Sequence, residues 1–506
     1  MPSALDRVVA ATLLPGFNGT ELPEWLAVRL RGGLGGVCIF GQNIHSPAQL
    51  RALTDAIYAA NPRAIVAIDE EGGDVTRLYH DSGSPYPGNA ALGRIDDLAY
   101  TEDVARLVGR ELRRVGCNLD LAPDVDVNSN PDNPVIGVRS FGTTPDRVAA
   151  HSAAWTRGLQ SAGVAACAKH FPGHGDTAQD SHLAMPVVDR SLQELRRREL
   201  VPFAAVIDAG VRTVMTSHIL LPQLDPGNPA TLSQRILRGL LRDELGFDGV
   251  IVSDALDMAG ASGVDGIPVA AARALAAGCD LLCIGSGNTD EQLTQIEREI
   301  RHAVASGQLT PGRLGEAAGR VAGLADMLLA ERAAIHVPDA AFSLDELDRS
   351  TTRALAAIDA DGSAELWCEA AAGKYSIVRI ETAANIAVGA APWGPFAEVG
   401  ANPARPQSAA FADRPQFIAV ENEYTARVPD SERNVLVVGR DIHRYPFARD
   451  VVDDLRARHP NVLVVEMGWP SDDRRYADVA TFGASRLMGR ALLSLLDGSA
   501  ELRTAR

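Results

Sequence analysis

No paired CxxC spacing occurs among the six cysteines, Cys38, Cys117, Cys167, Cys279, Cys283 and Cys368. That argues against a zinc ribbon or finger. Most of these cysteines lie inside apolar runs such as GGVCIF and DLLCIG. There a thiol acts as a small buried hydrophobe, and a reducing, cytoplasmic compartment is expected. Long hydrophobic runs are missing as well, so no bilayer-spanning segment is expected. The apolar run after Arg7 is short and lacks a basic n-region, so no cleaved leader is expected either. Positive charge is the minority sign: 48 Lys and Arg face 65 Asp and Glu, for a formal net charge of −17. So acidic a surface repels phosphate backbones and anionic lipid. Nucleic-acid and membrane partners are therefore not expected, while a neutral small molecule such as a sugar stays open. No GxGxxG fingerprint is found, since GRDIHRYP lacks its glycines.

What is present is an ordinary globular composition, 46% hydrophobic and 22% charged, in a chain of 506 residues. That is too long for one ordinary domain and suits one large barrel with a smaller partner. Up to about residue 335, short apolar runs alternate with longer amphipathic Ala/Leu/Arg-rich segments. The apolar runs are Gly35–Phe40, Ala64–Ile68, Cys117–Leu121, Val164–Ala168, Thr213–Thr216, Gly249–Val252 and Asp280–Ile284. Near-continuous apolarity fits parallel strands buried on both faces. Ser191–Ala209 and Gln234–Leu245 carry helical spacing between them. With a first strand near Val8–Leu14, roughly eight β/α units result. The predicted architecture is α/β: an N-terminal (β/α)8 TIM-type barrel over 1–335, then a smaller α/β sandwich over 336–506.

The linker falls near Ala333–Ala341. Beyond it, Asn434–Gly439 and Asn461–Glu466 read as strands, and Phe447–Arg458 and Ala484–Leu496 as helices. The Pro/Ala/Gly-rich stretch Ala390–Pro415 is expected to be irregular.

The strand ends carry chemistry. Gln42 and Asn43, Asp69, Asp124, Lys169 and His170, Ser217 and His218, and Ser253 and Asp254 each follow an apolar run. A closed barrel brings all such ends to one rim. The densest stretch, KHFPGHGDTAQDSH over residues 169–182, holds Lys169, His170, His174, Asp176, Asp180 and His182. It admits three readings. One is a solvated loop. The second is a metal site drawing on His170, His174 or His182, although no HxH or HExxH arrangement sets its geometry. The third is an acid/base loop in which Asp180 orients His182. Asp254, at the end of GVIVSD, suits a nucleophilic carboxylate and equally a helix N-cap. In DEEGGDVTR, Asp69 and Arg77 pair a carboxylate with a guanidinium, a fitting clamp for sugar hydroxyls. Arg139 stands in the glycine-flanked VIGVRSFG, where a plain surface arginine is the alternative.

In order along the chain, GGVCIFGQNI, AIDEEGGDVTR, NLDLAPDVDV, VIGVRSFG, AKHFPGHGDTAQDSH and GVIVSDALDM resemble the glycoside hydrolase family 3 β-N-acetylglucosaminidases, which include bacterial enzymes of cell-wall recycling. The resemblance spans most of the first 335 residues. It implies a retaining, exo-acting, cofactor-free and metal-free hydrolysis of terminal β-linked N-acetylglucosamine. Asp254 would form the covalent glycosyl-enzyme, with His182 as acid/base and Asp180 as its partner. Asp69, Arg77, Arg139, Lys169 and His170 would hold the terminal sugar. Family members often carry a second Asp directly after the nucleophile; here that residue is Ala255. A neutral imidazole does not repel an incoming anion, so phosphorolysis is an alternative to hydrolysis. A metal-dependent hydrolase and a non-catalytic sugar-binding protein are the alternatives of other classes.

Overall fold

The computed structural model describes residues 3–177, 185–263, 265–336, 344–360, 362–385, 387–424 and 427–499. They form two compact units. The first comprises Met1–Glu71, Leu98–Ser129 and Thr143–Ala341, and the second Gly72–Asp97, Asn130–Gly142 and Phe342–Arg506. The sequence reading places one cut near residue 335. The units differ from it in that residues 72–97 and 130–142, which follow barrel strands in the chain, pack with the C-terminal sequence. No helix among the described residues is long and apolar enough to cross a membrane.

The first unit is an eight-stranded parallel sheet. Its strands are β1 (Leu13–Leu14), β2 (Gly36–Ile39), β3 (Ile65–Ile68), β4 (Leu119–Asp120), β5 (Ala165–Phe171), β6 (Thr213–Thr216), β7 (Val250–Ser253) and β8 (Leu281–Cys283). They neighbour one another in chain order, and β8 returns to pair with β1. The Cys38 N–H donates to the Pro15 carbonyl at 2.9 Å and links the last two edges. The TIM-type ring read from the sequence is thus observed. Alternate strand residues, among them Ile65 and Ala67, Ala165 and Cys167, Val250 and Val252, and Leu281 and Cys283, share one buried cluster. Val321, Leu324, Ala325 and Leu328 of the helix Pro311–Ala334 join it at helical spacing.

Two local expectations are corrected. Val8 is not in a strand: the first element is a helix, Ala4–Ala10, and only Leu13–Leu14 pairs in the sheet. The reason is a capping box, in which Ser3 Oγ accepts the Asp6 N–H and the Asp6 carboxylate accepts the Ser3 N–H. The segment Ser191–Ala209 forms two helices, Leu192–Arg197 and Leu200–Asp208. The break falls at Arg198 and Glu199, with Pro202 in the first turn of the second helix, where a missing N–H is harmless.

The second unit holds a seven-stranded mixed sheet. Its strands are β9 (Asp359–Ala360), β10 (Ser376–Glu381), β11 (Gln416–Val420), β12 (Glu423–Tyr424), β13 (Asn434–Gly439), β14 (Asn461–Glu466) and β15 (Val479–Ala480). They lie in the order β9-β15-β14-β13-β10-β11-β12, with the two outermost strands antiparallel. Period-2 alternation explains why both faces are covered. Leu436 and Val438 enter one buried cluster, and Val435 and Val437 the other. Ala390–Pro415, expected to be irregular, contains the helices Gly394–Ala401 and Pro406–Ala412. Pro395 and Pro406 occupy first-turn positions in these helices, where proline is tolerated.

Candidate active site

The carboxyl ends of β3, β4, β5, β6 and β7 supply the polar residues of the first unit. Asp69 and Glu71 follow β3, and both accept from Lys169 Nζ, at 2.8 Å and 2.7 Å respectively. Lys169 belongs to β5 and is 2% exposed, so its charge is stable there because two carboxylates flank it. Behind them Asp120, at the end of β4, accepts the Glu70 N–H at 2.9 Å. Full burial pushes the Asp120 carboxyl well above the usual range.

Asp126, two residues beyond Asp124, holds the next residue of β5. His170 Nδ1 donates to Asp126 Oδ2 at 2.8 Å, and the His174 N–H donates to Asp126 Oδ1 at 2.6 Å. A carboxylate only accepts, so Nδ1 carries the imidazole proton. Burial works against the Asp126 charge, but the His170 hydrogen bond and the two nearby imidazoles hold its carboxyl below the ordinary value. The ligand-capable atoms of Asp124, Asp126 and His170 lie within 4.8 Å of one another. Among the described residues, His170 is the one histidine of that set; His174 Nδ1 lies 2.8 Å from Thr177 Oγ1.

The glycines of PGHG have a steric reason. A Cβ on Gly175 would sit 1.7 Å from the Val127 carbonyl oxygen, so only glycine lets this loop pack on the segment after β4. Beyond it, Asp176 accepts from Arg190 Nε at 2.7 Å and from Arg198 Nη2 at 2.6 Å. Arg198 also pairs with the buried Glu199. These pairs tie together residues on either side of 178–184. Asp180 and His182 fall in that stretch and lie outside the described residues.

Asp254 stands directly after β7. Its Oδ1 accepts the Ala255 N–H at 2.8 Å, and its own N–H lies 3.4 Å from Thr216 Oγ1. His218 Nε2 lies 3.0 Å from the Ala255 carbonyl and Nδ1 lies 2.9 Å from Thr231 Oγ1. A carbonyl cannot donate, so Nε2 carries a proton, and the Thr231 hydroxyl beside Nδ1 itself donates to the Ser217 carbonyl at 2.8 Å. The turn after the carboxylate is thereby held from two sides. Ala255 contributes its backbone here. Contact with Cys38 and burial push the Cys283 thiol up, and the charges of Asp254 and Asp69 add to that shift. Both carboxylates therefore bear on one thiol inside the ring.

Of the residues singled out in the sequence, Asp69 and Lys169 are in contact, His170 follows Lys169 on β5, and Asp254 stands on the same ring of strand ends. Arg77 and Arg139 belong to the second unit. There Arg77 Nη1 donates to the Ala387 carbonyl at 3.0 Å, and the buried Arg139 donates to the Val135 carbonyl at 3.0 Å. Sequence reasoning missed the roles of Glu71, Asp126, His218 and Thr231. The alternation in APDVDV just past a strand was the available signal for Asp126; Thr231 offered none.

The family described as glycosyl hydrolase family 3 N terminal domain matches residues 18–324. The chain is 36% identical over 349 residues to β-hexosaminidase A of Pseudoalteromonas piscicida, covering 64% of this chain and 57% of that protein. It thus spans little more than half of that relative's length. It is 41% identical over 271 residues to a β-hexosaminidase of Pseudomonas aeruginosa (strain LESB58), covering 52% of this chain and 80% of that protein. Among solved structures, a glycoside hydrolase family 3 β-N-acetylglucosaminidase from Paenibacillus sp. str. FPU-7 superposes with a TM-score of 0.84 at 29% identity, over 99% of this chain and 98% of that one. The family match covers more than half of the sequence and the whole ring of strands except β1, and on that ground the chain belongs to glycosyl hydrolase family 3.

Proposed function

We propose that the chain is a retaining exo-β-N-acetylglucosaminidase, with Asp254 as nucleophile and His182 as acid/base. The observation that carries this reading is the placement of Asp254: a carboxylate at the end of a buried strand, with its backbone turn braced by Thr216 and His218. Attack on an anomeric carbon needs a group fixed in that way. The β-hexosaminidase relatives and the Paenibacillus structure support the choice of sugar.

In the proposed reaction, protonated His182, oriented by Asp180, gives its proton to the leaving oxygen while Asp254 attacks from the opposite face. Neutral His182 then takes a proton from water, which releases the sugar with its β configuration retained. The Lys169–Asp69 pair offers both an ammonium donor and a carboxylate acceptor, so it suits sugar hydroxyls. His170 is held in one tautomer by Asp126 and completes the set on this unit. All six cysteines are free and five are buried, which supports a reducing cytoplasmic setting.

The test is turnover of an aryl β-N-acetylglucosaminide. Asp254→Ala should lose at least about 10³-fold in kcat, the scale on which removing a nucleophile acts. The product should be free sugar with or without phosphate in the buffer, and a chelator should leave the rate intact. A largely active Asp254→Ala enzyme would remove the nucleophile, and a sugar phosphate product would convert the reading to phosphorolysis.

A further inference from the structure

The parallel strands of the second unit run β11-β10-β13-β14-β15 across the sheet. In chain order that is 2-1-3-4-5, the doubly wound arrangement whose connections reverse direction between the first and third strands. At such a reversal the loops leave on opposite sides and open a crevice outside the carboxyl ends of the strands, where ligands bind in open α/β sheets. Here the crevice must lie beyond Glu381 of β10 and Gly439 of β13. The structure has a cavity at that place. It is lined by Thr382 and Asn385 after β10, and by Arg440, Asp441 and Arg444 after β13. Asn133 and Arg139, from residues 130–142, line it as well.

From this coincidence of topology and lining we propose that the crevice binds one small oxyanion, gripped by Arg440 and Arg444 beside Arg139. Size favours an ion over a sugar. The cavity measures about 40 Å³ on a scale where one water needs roughly 10–15 Å³, so it holds a few waters' worth of ligand and no pyranose. Charge favours an anion. Arg139, Arg440 and Arg444 line it with Asp74 and Asp441, three cationic residues to two anionic ones, in a chain whose net charge is −17. The two acids are already engaged: Asp74 Oδ1 accepts the Ala484 N–H at 2.8 Å, and Asp441 lies 3.9 Å from Arg444 Nη1.

The arginines are also held in place. Arg444 Nη1 donates to the Asn133 carbonyl at 3.1 Å, and the Arg440 guanidinium stacks 4.7 Å from the Trp393 ring centroid. Glu466, at the end of β14, accepts the Asp441 and Ile442 N–H groups at 2.7 Å each and fixes the loop that carries both arginines. A planar, always-charged fork held this way suits carboxylate and phosphate alike, so the shared chemistry is the oxyanion.

The experiment is calorimetric titration of the full chain with inorganic phosphate, and separately with acetate, at constant ionic strength to remove general screening. At least one anion should bind saturably at one equivalent, with a Kd at or below about 1 mM. Preference for phosphate or for acetate identifies a tetrahedral or a planar ligand. Arg440→Gln and Arg444→Gln should each weaken binding at least tenfold, and Arg444→Lys should weaken it less. Arg444→Gln removes a bond to the Asn133 carbonyl; if it unfolds, Arg440→Gln, which among the described residues loses the Trp393 ring contact, decides the matter. No saturable heat with either anion, or equal affinity in a folded Arg440→Gln chain, overturns the proposal. Binding is read without turnover, so neither result depends on the proposed hydrolysis.

Discussion

Both sheets are built from parallel strands with polar residues at their carboxyl ends, yet they gather those residues differently. In the first unit the ring brings every strand end to one rim. Asp69, Asp120, Lys169, His218 and Asp254 come from five strands and share hydrogen bonds or fields. In the second unit the sheet is open, and its ends converge only between β10 and β13. Closure therefore multiplies the charged groups that can meet in one place. It also raises the cost of disturbing Asp120, Lys169 or His218, because these three are buried. The open sheet pays less for its single crevice, where bonds to backbone carbonyls dominate.

The sharpest way to test that difference is to remove the buried lysine of the ring. Lys169→Met leaves Asp69 and Glu71 facing each other without a cation. We expect a loss of about 3–5 kcal/mol in urea unfolding, the cost of stranding a buried charge, together with loss of measurable sugar binding. A loss below 1 kcal/mol would show that the rim is as tolerant as a surface.

His218 comes next. It is fully buried and lies 3.0 Å from the carbonyl of Ala255, the residue after the proposed nucleophile. His218→Leu removes the donor to that carbonyl, at a cost of about 1–3 kcal/mol. As a positioning residue it should lower kcat by roughly tenfold with little change in KM, because a misplaced nucleophile harms the transition state more than sugar binding. Equal kcat in a folded variant would reduce His218 to a packing residue.

The matching change in the open sheet is Asn385→Ala. Asn385 Nδ2 donates at 3.0 Å to the Pro134 and Val135 carbonyls and so fastens residues 130–142 within the second unit. These bonds are neutral and part-buried, so about 1 kcal/mol is expected. Hydrogen exchange should show the effect as faster exchange confined to residues 130–142. A loss as large as that of Lys169→Met would erase the contrast between the two sheets.

The sequence shows the ring well and the second unit less well, for a physical reason. Strands such as Ile65–Ile68 and Thr213–Thr216 are buried on both faces, so apolarity alone marks them. Their ends are where the fold must place polar side chains, which is why Asp69, Lys169 and Asp254 stand out. Partners contributed from far along the chain leave no local trace. Thr231 reaches His218 only because the segment after β6 folds back, and no periodicity encodes that. Ser376–Glu381 reads as SIVRIE, an apolar alternation broken by Arg379, and carries no strand expectation though it is the first of the parallel strands of the open sheet. Arg77 and Arg139 were legible as candidates, but their membership of the second unit was not, because compactness depends on contacts between distant segments.

The smallest effect concerns the tether of the loop that leaves the ring. Asp176 takes hydrogen bonds from Arg190 and Arg198, and so joins residues on both sides of 178–184. Burial opposes its charge, but the two guanidiniums outweigh burial and hold its carboxyl below the ordinary value of 3.8. An acid whose folded pKa is depressed contributes its full stability above the unfolded pKa and loses it as the pH falls through the folded one. The Asp176 contribution should therefore be constant from neutral pH down to about pH 4 and vanish below it. Arg190 is 43% exposed, so solvent screening limits the pair to about 1 kcal/mol or less. Asp176→Asn should lower kcat a few-fold at pH 7, and unfolding stability should converge with that of the unmodified chain only in acid. A difference that instead grew as the pH fell from 7 to 5 would show that a group other than Asp176 controls this tether.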